Sequence, residues 1–224
     1  AAARFDAIEL FENDLLQFPG SPREVRQLCE DLGLAIDLFQ PMRDIEGVDD
    51  AHFRRNLDRA ERKFDLMQSL GAPLVLVCSN VQEGVSAYPQ RLADQLHELA
   101  ERAGRRGLRI GYEALSWGRS TRRWSEAWEV VRRADHPHLG LILDSFHTLA
   151  IRDPFQDIAD LPGEKIFFLQ LADGPWVQTD PLSHSRHYRC FPGQGEFPVV
   201  PFVRAALQAG YAGPLSLEIF NDDF

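Results

Sequence analysis

Cysteine is scarce in this chain. Cys29, Cys78 and Cys190 are odd in number and far apart, so they form neither a disulfide framework nor a thiolate metal site and read as reduced thiols. Long hydrophobic runs are missing too. No window approaches the roughly 18 uninterrupted apolar residues of a membrane span, and no basic segment leads into an apolar core at the start. The expectation is therefore a cytoplasmic protein with no membrane partner. No Ser/Gly/Pro-rich linker or low-complexity tract interrupts the sequence, so residues 1–224 are expected to form a single domain. Positive charge is in short supply: 24 Lys and Arg face 34 Asp and Glu, a formal charge of −10. That balance argues against a nucleic-acid partner, although a few arginines inside a cleft can still take a small anion.

What is present is an alternation of strand and helix signals along the whole length. Strands are expected at Phe5 to Phe11, Leu34 to Gln40, Leu74 to Cys78, Arg109 to Ala114, Leu139 to Asp144, Ile166 to Leu171 and Leu215 to Phe220. Ala1 to Arg4 resemble the tail of a helix. Ser21-Pro22 with Glu24 is a helix start with a possible capping box, stopped at Gly33. Phe53, Leu57, Ala60, Phe64 and Met67 recur at alternating spacings of four and three, the clearest helical face in the chain. Further helices are expected around Leu92 to Ala103, around Trp124 to Val131, briefly from about Pro154, and over Val199 to Ala209. A long polar loop is expected between Leu171 and Pro198. Seven strands interleaved with helices predict a (β/α)8 TIM barrel apparently lacking its first strand. A doubly wound open sheet is the alternative, but no glycine-rich phosphate fingerprint follows any strand.

Four consecutive strands end on an oxygen ligand: Glu113 in I-G-Y-E-A, Asp144 in L-I-L-D-S, Gln170 in F-F-L-Q-L and Glu218 in L-S-L-E-I. Side chains alternate faces, so Gly111, Ile142, Phe168 and Ser216 would share the inward face with them. Three carboxylates in a barrel mouth repel one another, and a divalent cation removes the conflict. An all-oxygen set suits Mg²⁺, Mn²⁺ or Co²⁺ and fits poorly with a structural zinc site. His147, three residues beyond Asp144, can either take a proton from a carbon acid or orient the substrate. Arg43, and Ser185, Arg186 and Arg189 in S-H-S-R-H-Y-R, lie after strands at the same end and could clamp a carboxylate.

The Glu, Asp, Gln, Glu series with D-x-x-H resembles the xylose-isomerase-like barrels, which include ketose epimerases, inosose dehydratases and apurinic endonucleases. Longer stretches are more specific. N-L-D-R-A-E-R-K-F-D-L-M, L-V-C-S-N, L-D-S-F-H-T, P-G-E-K-I-F-F, S-R-H-Y-R-C-F-P-G-Q-G-E-F and G-P-L-S-L-E-I-F-N-D look like the bacterial 3-dehydroshikimate dehydratases.

That resemblance implies a metal-dependent elimination of water from 3-dehydroshikimate to give protocatechuate. It implies His147 as base, Glu113 as metal ligand and second proton carrier, and Asp144, Gln170 and Glu218 as the remaining ligands. Ser185 and Arg189 would hold the substrate carboxylate, with Arg43 and Arg186 beside them. The missing first strand is expected to reflect truncation at the N-terminus; some members of that family continue into a C-terminal dioxygenase-like domain, a question that residues 1–224 leave open. The expected partner is a small carboxylate substrate, with homo-oligomer formation left open. Three other readings compete: a sugar isomerase or epimerase using the same metal and enolate chemistry, an endonuclease of the same fold, and a non-catalytic barrel that binds a metabolite.

Overall fold

The computed structural model describes residues 3–222. Seven parallel strands follow one another around the sheet in chain order: β1 (Ala7–Phe11), β2 (Ala35–Met42), β3 (Leu74–Cys78), β4 (Arg109–Glu113), β5 (Leu139–Asp144), β6 (Ile166–Leu171) and β7 (Leu215–Leu217). Helices α1 (Glu12–Gln17), α2 (Pro22–Asp31), α3 (Asp50–Leu70), α4 (Pro89–Gly104), α5 (Trp124–Ala134), α6 (Ser145–Ala150), α7 (Pro181–His187) and α8 (Val199–Gln208) alternate with them. This is a (β/α)8 barrel short of one strand. Among the described residues β1 and β7 do not pair, and a cavity of about 630 Å³ lies between them, lined by Glu9, Gln40, Phe168, Ser216 and Glu218 among others. No described helix is long and apolar enough to cross a membrane.

Local chemistry sets the helix limits. The Ser21 hydroxyl accepts from Glu24 N at 3.3 Å while Glu24 Oε2 accepts from Ser21 N at 2.6 Å, so the expected capping box closes at the start of α2. Asp49 caps α3 through His52 N at 2.8 Å, and Gly71 stops it at φ +76°, a conformation that a side chain would strain. The spacing-derived face of α3 is buried throughout, with Phe53, Leu57, Ala60, Phe64 and Met67 packed into the layer between helices and sheet. Truncating Phe64 there would cost about 3–5 kcal/mol.

A second, smaller cluster fills the barrel itself: Leu38, Leu74, Leu76, Cys78, Ile142 and Phe168. Gly111 belongs to the same lumen. A Cβ built on it would stand 2.4 Å from Ile142 Cγ1, so glycine is what lets Ile142 occupy the axis. The inward face expected two residues before each strand-end acid is thus present at Gly111, Ile142 and Phe168, and it directs Glu113, Asp144 and Gln170 toward the mouth.

Several elements differ from expectation. The chain passes from β5 directly into α6, and where a helix was expected from about Pro154 there are two short 3-10 stretches, Gln156–Asp160 and Gly163–Lys165. Within the expected long loop lies α7, capped by Asp180 at 2.9 Å from Ser183 N. Its sequence, P-L-S-H-S-R-H, has no apolar period, so the cap and the proline at its first position were the available signals. Short α1 was not expected, and β7 stops at Leu217 instead of Phe220. Ala1 and Ala2 lie outside the described residues, and Ala3 and Arg4 are not helical.

Candidate metal centre

Glu113 at the end of β4, Asp144 at the end of β5 and His147 in the first turn of α6 place one ligand atom each within 4.8 Å of one another, and all three are buried. Asp144 performs two tasks. Its Oδ1 accepts from Phe146 N at 2.6 Å and His147 N at 3.4 Å, starting α6, while its Oδ2 faces the site. The aspartate therefore both opens the turn and belongs to the cluster. His147 Nε2 lies 3.6 Å from Asp144 Oδ2 and 4.0 Å from Glu113 Oε1.

Arg189 completes the electrostatics. Although long and charged, it is 1% exposed. Its Nη1 donates to Asp144 Oδ2 and Glu218 Oε2, each at 2.8 Å, and its Nη2 donates to Ser185 Oγ at 2.9 Å and to His147 Nε2 at 3.2 Å. The guanidinium also lies over the rings of Phe146 and Phe220. Guanidinium can only donate, so His147 Nε2 must be the acceptor and Nδ1 must carry the proton. That proton goes to Ser116 Oγ at 3.2 Å. The Trp117 ring packs edge-on against the imidazole, centroids 5.0 Å apart, and fixes its plane.

The segment bearing Arg189 is held in place by Asp173. Its Oδ1 accepts from Gly174 N at 2.7 Å and Phe197 N at 2.9 Å, and its Oδ2 accepts from Gly193 N at 2.9 Å. Arg189 N donates to Phe220 O at 3.1 Å, and Asn221 Nδ2 donates to Arg189 O at 2.8 Å, tying the segment to the end of the barrel.

These neighbours set the ionisation states. Burial, then the charges of Asp144 and Glu218, push the Glu113 carboxyl well above its usual range. Burial also raises Glu218, against the pull of Arg189. For Asp144 burial acts upward, but Arg189 and His147 outweigh it and hold the carboxyl below its ordinary value. Burial, assisted by Arg189 and opposed by Asp144, brings His147 down to about 3, so the imidazole is neutral at physiological pH. One guanidinium thus compensates Asp144 and Glu218, and Glu113 is left in excess.

The expected ligands are distributed as follows. Glu113 and Asp144 come together, and His147 joins them as a third donor. Glu218 reaches Asp144 through the shared guanidinium. Gln170, side by side with Asp144 in the β5–β6 register, turns its Nε2 to Glu9 Oε2 at 2.7 Å. Its Oε1 is buried with no partner, a carbonyl that a cation would satisfy. With carboxylate oxygens and an imidazole beside it, this donor set fits a divalent ion such as Mg²⁺, Mn²⁺ or Co²⁺. Ser185, expected beside the substrate, accepts from Arg189 Nη2 through its Oγ at 2.9 Å. Arg186 lies over the Phe220 ring and Arg43 lines an adjoining depression. The charges of both act on His147, which places them at this end of the barrel.

Sequence reading missed four residues. Glu9 is the single charged residue of β1, a signal that was available. Cys78 ends β3 and its thiol donates to Glu113 Oε2 at 3.6 Å. Ser116 and Trp117 sit in an irregular loop after β4, where nothing in the pattern marked them.

Comparison with known proteins agrees with this geometry. A family model described as a xylose isomerase-like TIM barrel matches residues 1–223. A 3-dehydroshikimate dehydratase of Pseudomonas aeruginosa is 62% identical over 224 residues, covering 100% of this chain and 35% of its own length. Its Pseudomonas putida counterpart is 60% identical with the same coverage. This chain therefore spans about a third of those relatives. A solved xylose isomerase-like TIM barrel/4-hydroxyphenylpyruvate dioxygenase fusion protein superposes with a TM-score of 0.97 at 60% identity, over 99% of this chain and 36% of that one. The strand order, the filled lumen and the acid-lined mouth are accounted for together: the chain belongs to the xylose isomerase-like TIM barrel family.

Proposed function

We propose that this chain is a divalent-metal-dependent 3-dehydroshikimate dehydratase, eliminating water from 3-dehydroshikimate to give protocatechuate. The observation that carries the reading is the joining of a neutral buried imidazole, a buried arginine and a carboxylate cluster in one mouth, in a chain 62% identical to a protein of that name.

A divalent ion held by Glu113, Asp144, Gln170 and Glu218, with His147 adjacent, would supply Lewis acidity to the substrate ketone. The rest falls to this chain's residues. Arg189, oriented by Ser185, offers paired donors to the substrate carboxylate, and Arg43 and Arg186 add positive charge beside it. When the guanidinium turns to the carboxylate, His147 Nε2 is released as an acceptor. It takes the proton from the carbon next to the ketone, while Ser116 holds the opposite nitrogen protonated. The hydroxyl one carbon further leaves as water with the proton that His147 took up, and a second ring proton passes by way of Glu113 to the former ketone oxygen, which completes aromatisation.

The substrate class is thus a small cyclic carboxylate. Arginines at the mouth favour it over the neutral polyols of an isomerase or epimerase. The free thiols Cys29, Cys78 and Cys190 suit a reducing, cytoplasmic setting. Incubating the purified chain with 3-dehydroshikimate and Mg²⁺, Mn²⁺ or Co²⁺ should produce the absorbance of a catechol. No product with any of the three would refute the assignment.

A further inference from the structure

Glu9 lies on β1, and two buried amides converge on one of its oxygens. Gln170 Nε2, from β6, donates to Glu9 Oε2 at 2.7 Å, and Gln40 Nε2, from β2, donates to the same atom at 2.9 Å. In the β1–β2 register Glu9 pairs with Leu38, a residue of the lumen cluster, so its side chain is directed inward by the strand itself. An oxygen receiving two N–H groups is an acceptor, and any proton on this carboxyl sits on Oε1.

This arrangement has a consequence for Gln170. The two ends of a side-chain amide are chemically distinct, and the end that meets Glu9 Oε2 must be the nitrogen. The carbonyl end is then fixed on the other side. Gln170 Oε1 is indeed the atom left buried without a partner, while its β5 neighbour in register is Asp144. Gln40 steadies Glu9 from the opposite side.

We propose that Glu9 is the positioning residue of the centre: it holds the Gln170 amide so that Oε1, and not the nitrogen, is presented to the divalent ion. This rests on the reading of Gln170 as a ligand. Glu9 Oε1 is likewise buried with no partner, and in this proposal Glu9 acts through the amide that its Oε2 holds. Partners that orient a ligand in this way are worth about 10–100-fold in metal affinity.

The test is a double-substitution cycle read as Mn²⁺ affinity, by calorimetry or by electron paramagnetic resonance of the free ion, on the purified chain. Glu9→Leu removes the acceptor and should weaken Mn²⁺ binding by about 10-fold or more. Glu9→Gln offers a carbonyl acceptor of the same shape and should restore affinity to near the starting value. Gln170→Ala should weaken binding, and adding Glu9→Leu to it should cause no further loss. Affinity unchanged by Glu9→Leu while Gln170→Ala weakens it would overturn the positioning role and leave the ligand assignment intact. Affinity unchanged by Gln170→Ala would remove both. Additive losses would show Glu9 acting independently of Gln170 and would also overturn the proposal. A measurement on the unsubstituted protein covers the case in which Glu9→Leu fails to fold. The Gln170 side-chain amide protons should be protected from solvent exchange with and without Mg²⁺, and free exchange would contradict the contact.

Discussion

Replacing Arg189 with methionine isolates the charge in the middle of the site. Methionine keeps most of the apolar contact with Phe146 and Phe220 but removes both 2.8 Å bonds, to Asp144 Oδ2 and Glu218 Oε2. Stranding one side of a buried ion pair costs about 3–5 kcal/mol. In a chain of 224 residues, each kcal/mol moves the melting temperature by roughly 2–4 °C, so R189M should melt roughly 6–20 °C lower in EDTA near pH 7.

The pH dependence has a definite sign. In the unsubstituted protein the Asp144 carboxyl is held below its ordinary 3.8, so its contribution is present above that value and lost as pH falls through the folded value. In R189M the largest opposing charge is gone, so burial and carboxylate repulsion gain on the partners that remain, the Phe146 N–H and His147 at Asp144 and Gln40 and Arg186 at Glu218, and both carboxyls move upward. Stability of the variant then falls as pH rises past the ordinary carboxylate range. The deficit should be greatest near pH 7 and shrink toward pH 5, and Mg²⁺ or Mn²⁺ should recover much of it by replacing the lost positive charge. Thermal unfolding followed by circular dichroism, with and without metal at both pH values, reads all of these. A deficit equal at pH 5 and pH 7 would mean that the loss comes from packing, and the charge argument would fail.

Other outcomes follow from the same contacts. Ser116→Ala frees His147 Nδ1 and should lower kcat about 10-fold or more with little change in KM, while Ser116→Thr keeps the hydroxyl and most of the rate; steady-state kinetics decide, and an unchanged kcat would remove the tautomer role. Glu113→Ala and Asp144→Ala should abolish Mn²⁺ binding and activity together, whereas His147→Ala should lose activity and retain the ion, as calorimetry would show. Retained turnover in either acid variant would count against the metal assignment. Without metal, the Glu9 carboxyl is raised from 4.5 to about 8, mainly by burial and next by Glu218. The folded state therefore holds the extra proton, and stability should decline from about pH 4.5 to about pH 8 in EDTA, less steeply in E9Q. Gly195→Ala places a methyl 2.4 Å from Asp173 Oδ1, so it should loosen the segment behind Arg189 and reduce activity more than it lowers the melting temperature.

The parts of the molecule legible in the sequence are those governed by local periodicity. The face of α3 and the capping box of α2 each depend on residues within one or two turns, and β3, β4, β5 and β6 on runs of five or six residues. Asp144 was legible because an acid after L-G-L-I-L stands out. Arg189 was singled out too, as a clamp for a substrate carboxylate, but its pairing with Asp144 and Glu218 was not legible. Arg189 is a polar residue in a polar segment, and composition alone would place it in solvent, yet it is 1% exposed because two acids from β5 and beyond β7 need it there. Glu9 escaped for a related reason. As the single charged residue of β1 it stood out, but its partner Gln170 is 161 positions away and nothing local to β1 encodes that meeting.

The charges of the site explain why its parts arrive from such different places. Barrel strands deliver side chains to a common rim by geometry alone, so acids at the ends of β4 and β5 and just after β7 converge without any local signal that they must. The compensating charge cannot come from the same rim positions, which are already occupied. It comes instead from a segment folded back over the mouth, fastened by the backbone donors that Asp173 accepts and by the bond from Arg189 N to Phe220 O. A single guanidinium neutralises two carboxylates only because it is fixed between them, and the third acid, Glu113, keeps its proton until a stronger cation arrives. The same segment thus stabilises the metal-free site and, in the proposed reaction, would supply the arginine that meets the substrate carboxylate.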